Sequence, residues 1–579
     1  MRDAEENEGS GEAPGGGSRQ GTGCMAGGAA PRDGRGRRTA RRARRAVQVV
    51  TFALFVCLLF AALQRYDPLA WSDAFFRFDP LAALATMLAA RAWIGALGLA
   101  LVTVAATVVL GRIWCGWVCP LGTLLEWCSF RAARQRARRV PPGLRRVKYL
   151  VLTAIVAMAV LGDLTLMVLD PIALLTRTAT TSVIPALTWA VTAAERLLLR
   201  WPALEPAVSR ADAALRGSVV PVTQPRFTQS VVLLLVLVAV LALGALAGRF
   251  WCRYLCPLGA LLGLLAKVAV LRPMVGSACD PCGRCAVACG LGAIELPSSG
   301  GAATTRGASA ARRDVRATVG EARPVARVVS SECTMCLDCL VACPRPGAMA
   351  FGRGQAAGPW AAYDPGRRAF VGAAAAGVGA TVLLASGVRA AQPGPRLLRP
   401  PGSQDEDRFL SLCLRCSECM KVCPTSGLQP ALLEGGLQAL WTPVLVPRLG
   451  YCDYGCNACG QTCPSGAIPE LALDEKRAQV LGVAVIDRDR CLPWAQGTPC
   501  IVCQEMCPVP EKAIELDAGR LVPSPSGGEN WVTRPHVVPA RCIGCGICET
   551  KCPVAGAAAI VVERAAPRLA RGGAPAADG

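Results

Sequence analysis

The chain has 579 residues, enough for several domains rather than one core. Hydrophobic residues make up 53% and mean hydropathy is +0.38, which points to membrane spans; 31 cysteines against one histidine, His536, argue against a secreted disulfide scaffold, a device of small domains. The formal net charge of +21 does not mark a nucleic-acid binder, because its densest clusters, Arg32 to Arg45 and Arg131 to Lys148, flank apolar segments, and no aromatic-and-basic recognition surface accompanies them.

Residues 1–45 are rich in Gly, Ala and Arg without hydrophobic periodicity and read as a disordered basic tail. A membrane domain is expected over 46–270, with apolar segments at 47–63, 93–111, 147–169 and 230–248, each near the roughly 20 residues that span a bilayer. The tail and the loop after the second span are dense in arginine. The outer loops, 64–92 and 170–229, mix both signs, so the N-terminus falls in the cytoplasm. The fold class expected is an α-helical four-span bundle with α+β ferredoxin-like two-cluster domains on both sides of the membrane.

That bundle is a duplicated hairpin. Gly111-Arg-Ile-Trp-Cys-Gly-Trp-Val-Cys-Pro-Leu-Gly122 closes the second span, and Gly248-Arg-Phe-Trp-Cys-Arg-Tyr-Leu-Cys-Pro-Leu-Gly259 closes the fourth. An upstream Asp-Pro recurs as Asp79-Pro80 and Asp170-Pro171. Residues 271–355 then read as a cytoplasmic two-cluster domain. At 365–390, Arg367-Arg368-Ala-Phe-Val opens an apolar run to Val388 that resembles a twin-arginine export signal and equally fits a fifth span. Either reading sends the last domain, 400–565, to the periplasmic side of a bacterial inner membrane, followed by a disordered tail at 566–579.

Six cysteine quartets carry the chemistry. Four have the spacing C-x2-C-x2-C-x3-C: Cys279/Cys282/Cys285/Cys289, Cys333/Cys336/Cys339/Cys343, Cys413/Cys416/Cys419/Cys423 and Cys542/Cys545/Cys548/Cys552. Cys452/Cys456/Cys459/Cys463 and Cys491/Cys500/Cys503/Cys507 stretch the first interval. Proline follows the last cysteine in five of the six, the exception being Gly290. Three thiolates on one tight loop reach three irons of a cubane, and the fourth points away, serving the other cluster in two-cluster ferredoxins. This is the pattern of the bacterial two-cluster ferredoxin three times over, and it predicts six [4Fe–4S] clusters with these 24 cysteines as iron ligands. Zinc sites pair two cysteines with two distant ligands instead. Spacing leaves the exchange of fourth cysteines open. In the outer domain either neighbours pair, or the outermost quartets pair and the inner two pair.

Cys115/Cys119 and Cys252/Cys256, in two C-x3-C-P sites, are too few for a cubane each. They form one four-thiolate site across the repeat, a redox disulfide or a packing motif at the membrane surface. Cys24, Cys57 and Cys128 belong to no quartet. One histidine, in the outer domain, excludes a bis-histidine haem within the membrane. No C-x-x-C-H haem site, Gly-rich dinucleotide loop or catalytic triad is evident, so the role looks like conduction.

Residues 45–350, with two W-C-x3-C-P-L-G sites and two clusters, resemble the NapH/MauN membrane ferredoxins. Residues 360–565, with Arg367-Arg368 and four clusters, resemble the NapG/MauM periplasmic ferredoxins, and the two look fused. The resemblance implies quinol oxidation and electron delivery from the membrane quinone pool to a periplasmic oxidoreductase. The alternative is an assembly or regulatory factor that supplies electrons for maturing a respiratory metalloenzyme.

Overall fold

A computed structural model of the chain describes residues 33–64, 71–129, 142–216, 220–276, 278–296, 325–345, 347–352, 367–390, 394–403, 405–523 and 528–564. Cys24, most of the two expected tails and the arginine-dense loop at 130–141 lie outside the described residues. The remainder is largely helical, with short paired strands confined to the cysteine-rich regions.

Helix α1 runs Asp33–Ala61 and contains the one stretch, Gly36–Ala61, that is long and apolar enough to cross a membrane among the described residues. Its first half corrects the reading of 1–45 as disordered from end to end: the arginines fold because acidic partners await them. Arg41 Nε meets Asp338 Oδ1 at 2.8 Å, and the buried Arg44 meets Glu126 at 2.5 Å. At the far end Gln64 N donates to Lys421 O at 3.0 Å. At 1.5 Å per residue the helix is about 43 Å long, and it touches one cysteine-rich region towards each end.

The other expected spans are shorter than a lone span requires. Helix α2 is Pro80–Ala90, α3 Ala100–Leu110, α4 Pro120–Trp127, α5 Val147–Val160, α6 Pro171–Thr178, α7 Ser230–Ala242 and α8 Pro257–Leu265. Glycines with positive φ follow α3 and α5 closely, Gly111 (φ 73°) and Gly162 (φ 85°), and stop them. Several helices fall where outer loops were expected, among them α2, α6, Ile184–Leu198 and Glu205–Leu215. Asp79 and Asp170 cap α2 and α6 through their side chains, Pro80 and Pro171 stand at the first helical position, and every residue of α6 is buried. Helix α9, Arg367–Ala390, packs on α5, with Gly377 closing on Ala154 and Ala157 as small residues do at membrane helix crossings.

Each pair of quartets is framed by antiparallel strands. In the first unit β1 (Arg272–Val275) pairs with β4 (Met349–Gly352), and β2 (Ile294–Glu295) with β3 (Arg327–Val328). In the second, β5 (Leu428–Pro430) pairs with β6 (Pro443–Leu445). In the third, β7 (Val483–Ile486) pairs with β12 (Ile560–Glu563) and β8 (Ile514–Leu516) with β11 (Pro535–Val537), beside a hairpin of β9 (Arg520–Pro523) and β10 (Glu529–Val532). Strands before one quartet thus pair with strands after its neighbour, which folds the two quartets back to back.

Candidate metal centres

The pairing of strands brings each fourth cysteine to the neighbouring loop. Cys279, Cys282 and Cys285 share a cavity with Cys343, and Cys333, Cys336 and Cys339 share one with Cys289. In the second unit Cys452, Cys456 and Cys459 gather with Cys423, while Cys413, Cys416 and Cys419 have Cys463 as their outside neighbour. In the third, Cys491, Cys500 and Cys503 join Cys552, and Cys542, Cys545 and Cys548 join Cys507. Of the alternatives open for the outer domain, the geometry favours exchange between neighbours.

Three thiols from a tight loop and one from the facing loop, around one void, fit a four-iron cubane. Backbone N–H groups already aim at sulfur: Ala293 N to Cys289 Sγ at 3.2 Å, Met335 N to Cys333 Sγ at 3.4 Å, Ala484 N to Cys542 Sγ at 3.4 Å and Ala559 N to Cys552 Sγ at 3.4 Å. Such bonds set the potential of a bound cluster. Burial pushes the Cys333 and Cys452 thiols up to about 11 and those of Cys336, Cys503 and Cys545 up to about 12. Without iron these sulfurs keep their protons, so loading a cluster must release them.

The loops themselves demand left-handed backbone. Gly544 and Gly546 supply it in the last quartet at φ 70° and 84°. Met335 and Leu337 in the second quartet, and Arg415 and Ser417 in the third, adopt it without glycine.

The first two units are seated on the helices between them through buried charge. Glu332, one residue before Cys333, receives Lys148 Nζ at 2.6 Å, and Arg112 Nη1 donates to Ser331 O at 2.6 Å. Trp117 Nε1 donates to Met335 O at 3.1 Å. Gly116 packs so tightly on this loop that a Cβ there would collide with the Thr334 carbonyl. Glu126 binds Arg44, Gln48 and Arg249. Against burial, which would raise it, the Arg249 charge and the Arg44 hydrogen bond hold its carboxyl at about 2.

At the other end Arg415, between Cys413 and Cys416, donates to Leu164 O at 2.7 Å and Gln438 O at 2.6 Å. Arg177 donates to Arg415 O at 3.1 Å and lies over the Trp441 ring at 4.2 Å. The second and third units meet where Cys452 N donates to Cys545 O at 2.8 Å. These arginines were not singled out from the sequence, since an isolated arginine carries no signal of the carbonyls it will find.

Of the cysteines outside quartets, Cys57 and Cys128 are exposed, while Cys115, Cys119, Cys252 and Cys256 are all buried. One apolar core contains those four together with Leu414 and Cys416, and Cys289 packs against it.

Comparison with known proteins agrees with this chemistry. A 4Fe-4S binding domain family matches residues 92–141 and 229–274, the two segments that carry the C-x3-C-P sites. The ferredoxin-type protein NapG of Escherichia coli is 38% identical over 173 residues, which is 29% of this chain and 68% of that protein. The methylamine utilization ferredoxin-type protein MauM is 35% identical over 222 residues in Methylorubrum extorquens, 37% of this chain and 96% of the relative. MauM of Paracoccus denitrificans is 38% identical over 207 residues, 34% of this chain and 88% of the relative. No solved structure matches. The chain belongs to the NapG/MauM family of ferredoxin-type proteins and is an iron–sulfur electron-transfer protein.

Proposed function

We propose that this chain is a membrane relay that takes electrons from quinol and delivers them to a periplasmic oxidoreductase, with the NapH/MauN-like and NapG/MauM-like parts fused in one polypeptide. In this reading residues 46–270 form the four-span membrane domain, 271–355 a cytoplasmic two-cluster domain and 400–565 a periplasmic four-cluster domain. The six groups of thiols hold six [4Fe–4S] clusters. Each such cluster carries one electron at a time between neighbours.

The observation that carries the proposal is the single apolar core that holds Cys115, Cys119, Cys252, Cys256 and Cys416 and has Cys289 against its edge. It joins thiols of the first unit to thiols of the second through the membrane domain. The contact of Cys452 with Cys545 extends the series into the third unit.

Quinol gives up protons with its electrons, and the chain offers acceptors. Asp79 and Asp170 are buried at the starts of α2 and α6, each with one oxygen on two backbone N–H groups. Their other oxygens meet no N–H donor, and the two carboxyls stand within hydrogen-bonding reach of each other. Asp170 lies near the Cys119 thiol. An Asp79→Asn side chain keeps the cap and loses the proton site.

The test is anaerobic protein in nanodiscs with a quinol analogue, followed by EPR of the reduced clusters. Reduction in wild type, slowed in Asp79→Asn while dithionite still reduces both proteins fully, is the expected result. Clusters that stay oxidised with quinol yet reduce with dithionite would overturn the quinol role.

A further inference from the structure

The two repeats reach one quartet from different sides. Aligned on Gly111-Arg112 and Gly248-Arg249, Gly116 of the first repeat stands where Arg253 stands in the second. Each lies in a π-helical turn, Trp114–Val118 and Trp251–Leu255, a rare form that concentrates at functional sites. Gly116 meets the Thr334 carbonyl, between Cys333 and Cys336, and Trp117 Nε1 donates to the next carbonyl, Met335 O. Arg253 meets Gly292 instead. Its Cζ lies 2.8 Å from where a Cβ on that glycine would stand, and Arg145 Nη2 lies 2.9 Å from the same point. The next residue, Ala293, donates its N–H to Cys289 Sγ at 3.2 Å, and Cys289 is the fourth thiol beside Cys333, Cys336 and Cys339. One repeat grips the loop of three thiols, and the other grips the turn of the fourth.

Charge is not balanced around this quartet. Three carboxylates line its cavity, and each has a basic partner: Asp338 has Arg41 at 2.8 Å, Glu126 has Arg44 at 2.5 Å and Glu332 has Lys148 at 2.6 Å. Arg145 and Arg253 meet no carboxylate among the described residues. Arg145 Nη2 donates to Gly292 O at 2.7 Å, while the Nε atoms of both arginines are buried and donate to nothing. Arg253 is only 6% exposed. A guanidinium stripped of water is ordinarily paired, because burying its charge alone is strongly unfavourable. The opposite charge nearest to hand is the net negative charge of four thiolates on an iron–sulfur core. The other group of the unit has no such surplus: Asp280 and Arg345, the charged residues of its cavity, pair with each other at 2.7 Å.

We propose that Arg253, seconded by Arg145, sets the potential of the Cys289/Cys333/Cys336/Cys339 group and holds it above that of the Cys279/Cys282/Cys285/Cys343 group. An electron entering the first unit then comes to rest on the quartet that both repeats grip. Arg253 is a positioning residue: it acts through its charge, beside the turn of Cys289. Reduction adds one negative charge to the group, and two buried guanidiniums favour the more negative state. The couple takes one electron from a reductant, dithionite in vitro, and no bond forms or breaks.

The inference rests on the relay reading for its place in a series of transfers, but the potential is measured without quinol, which keeps the two apart. Full-length anaerobic protein in nanodiscs is titrated with dithionite and redox mediators and followed by EPR, as wild type, Arg253→Met and Arg253→Lys. The signal of this group is the one lost in Cys336→Ala. Arg253→Met should lower its ratio of reduced to oxidised protein about tenfold at the wild-type midpoint, a shift of about 59 mV for one electron. Arg253→Lys, which keeps the charge, should restore most of that shift, and the other groups should stay where they were. An unchanged midpoint in Arg253→Met, or an equal fall in Arg253→Lys, overturns the proposal, as does a wild-type midpoint at or below that of the Cys279/Cys282/Cys285/Cys343 group. Should Arg253→Met fail to assemble the group, Arg145→Met decides, with a smaller fall expected and no fall being the contrary result. Clusters that quinol cannot reduce, with these shifts intact, would overturn the relay reading and leave this one standing.

Discussion

Two quartets with the same spacing live in opposite surroundings. Cys413, Cys416 and Cys419 are buried, whereas Cys282 is exposed and Cys279 and Cys285 are half-buried. The first set is sealed by Arg177, Arg415 and the chain around Leu164; the second opens at the edge of β1 and β4, with a surface ion pair from Arg345 to Asp280 at 2.7 Å. The spacing therefore specifies a ligand loop and says nothing about its place in a relay. Burial does: a sealed site exchanges electrons inside the protein, and an open one can meet a soluble partner.

The largest effect should follow from removing a sealed ligand. Cys416→Ala should slow quinol-dependent reduction of the outer groups beyond the 10–100-fold typical of losing an outer partner. Reduction of the two inner groups should not change, as freeze-quench EPR would record. Cys282→Ser, at the open site, should leave the outer groups untouched; equal damage from both variants would erase the distinction drawn above.

The next effect concerns the seal. Arg415→Met strands the Leu164 and Gln438 carbonyls and should cost about 3 kcal/mol of stability in thermal unfolding. It should also loosen the second unit from the helices around Leu164 and Arg177, so that dithionite reduces the outer groups and quinol does not.

The inner seat has its own acid limit. The Glu126 carboxyl is held at about 2, below its ordinary value near 4.5, so its contribution is complete above that ordinary value and is lost as pH falls through about 2. The contribution is at most about 3 kcal/mol. Glu126→Gln should lower stability at neutral pH and flatten the acid limb, read by unfolding at pH 2 to 6. An unchanged acid limb would remove Glu126 from the seat.

The smallest effect tests the loops. Ser417→Gly relieves a left-handed residue at φ 66° and should stabilise by no more than about 1 kcal/mol, whereas Gly546→Ala, at φ 84° against Pro447, should destabilise. Equal and opposite signs at these two positions would show that the loop conformation, rather than its sequence, is shared.

Much of the chemistry was legible because iron–sulfur ligation is local: a loop of eleven residues carries its own signature, and so does the repeat around Trp114 and Trp251. What escaped the sequence was long-range. Which fourth cysteine faces which loop depends on strand pairings such as Val275 with Met349, far apart in the chain. Helices α2 and α6 hid because eleven and eight residues fall below span length, although Asp79-Pro80 and Asp170-Pro171 are a readable capping signal. The arginines before Val47 looked like disorder because their partners, Glu126 and Asp338, lie elsewhere.

The central claim is that electrons pass from the membrane domain into the outer groups through Cys416. It is tested most directly by rapid mixing of wild type and Cys416→Ala in nanodiscs with a quinol analogue, with freeze-quench EPR of the outer clusters. The account predicts reduction in wild type and outer clusters left oxidised in the variant while the inner ones reduce. Outer clusters reduced at the same rate in both proteins would contradict it.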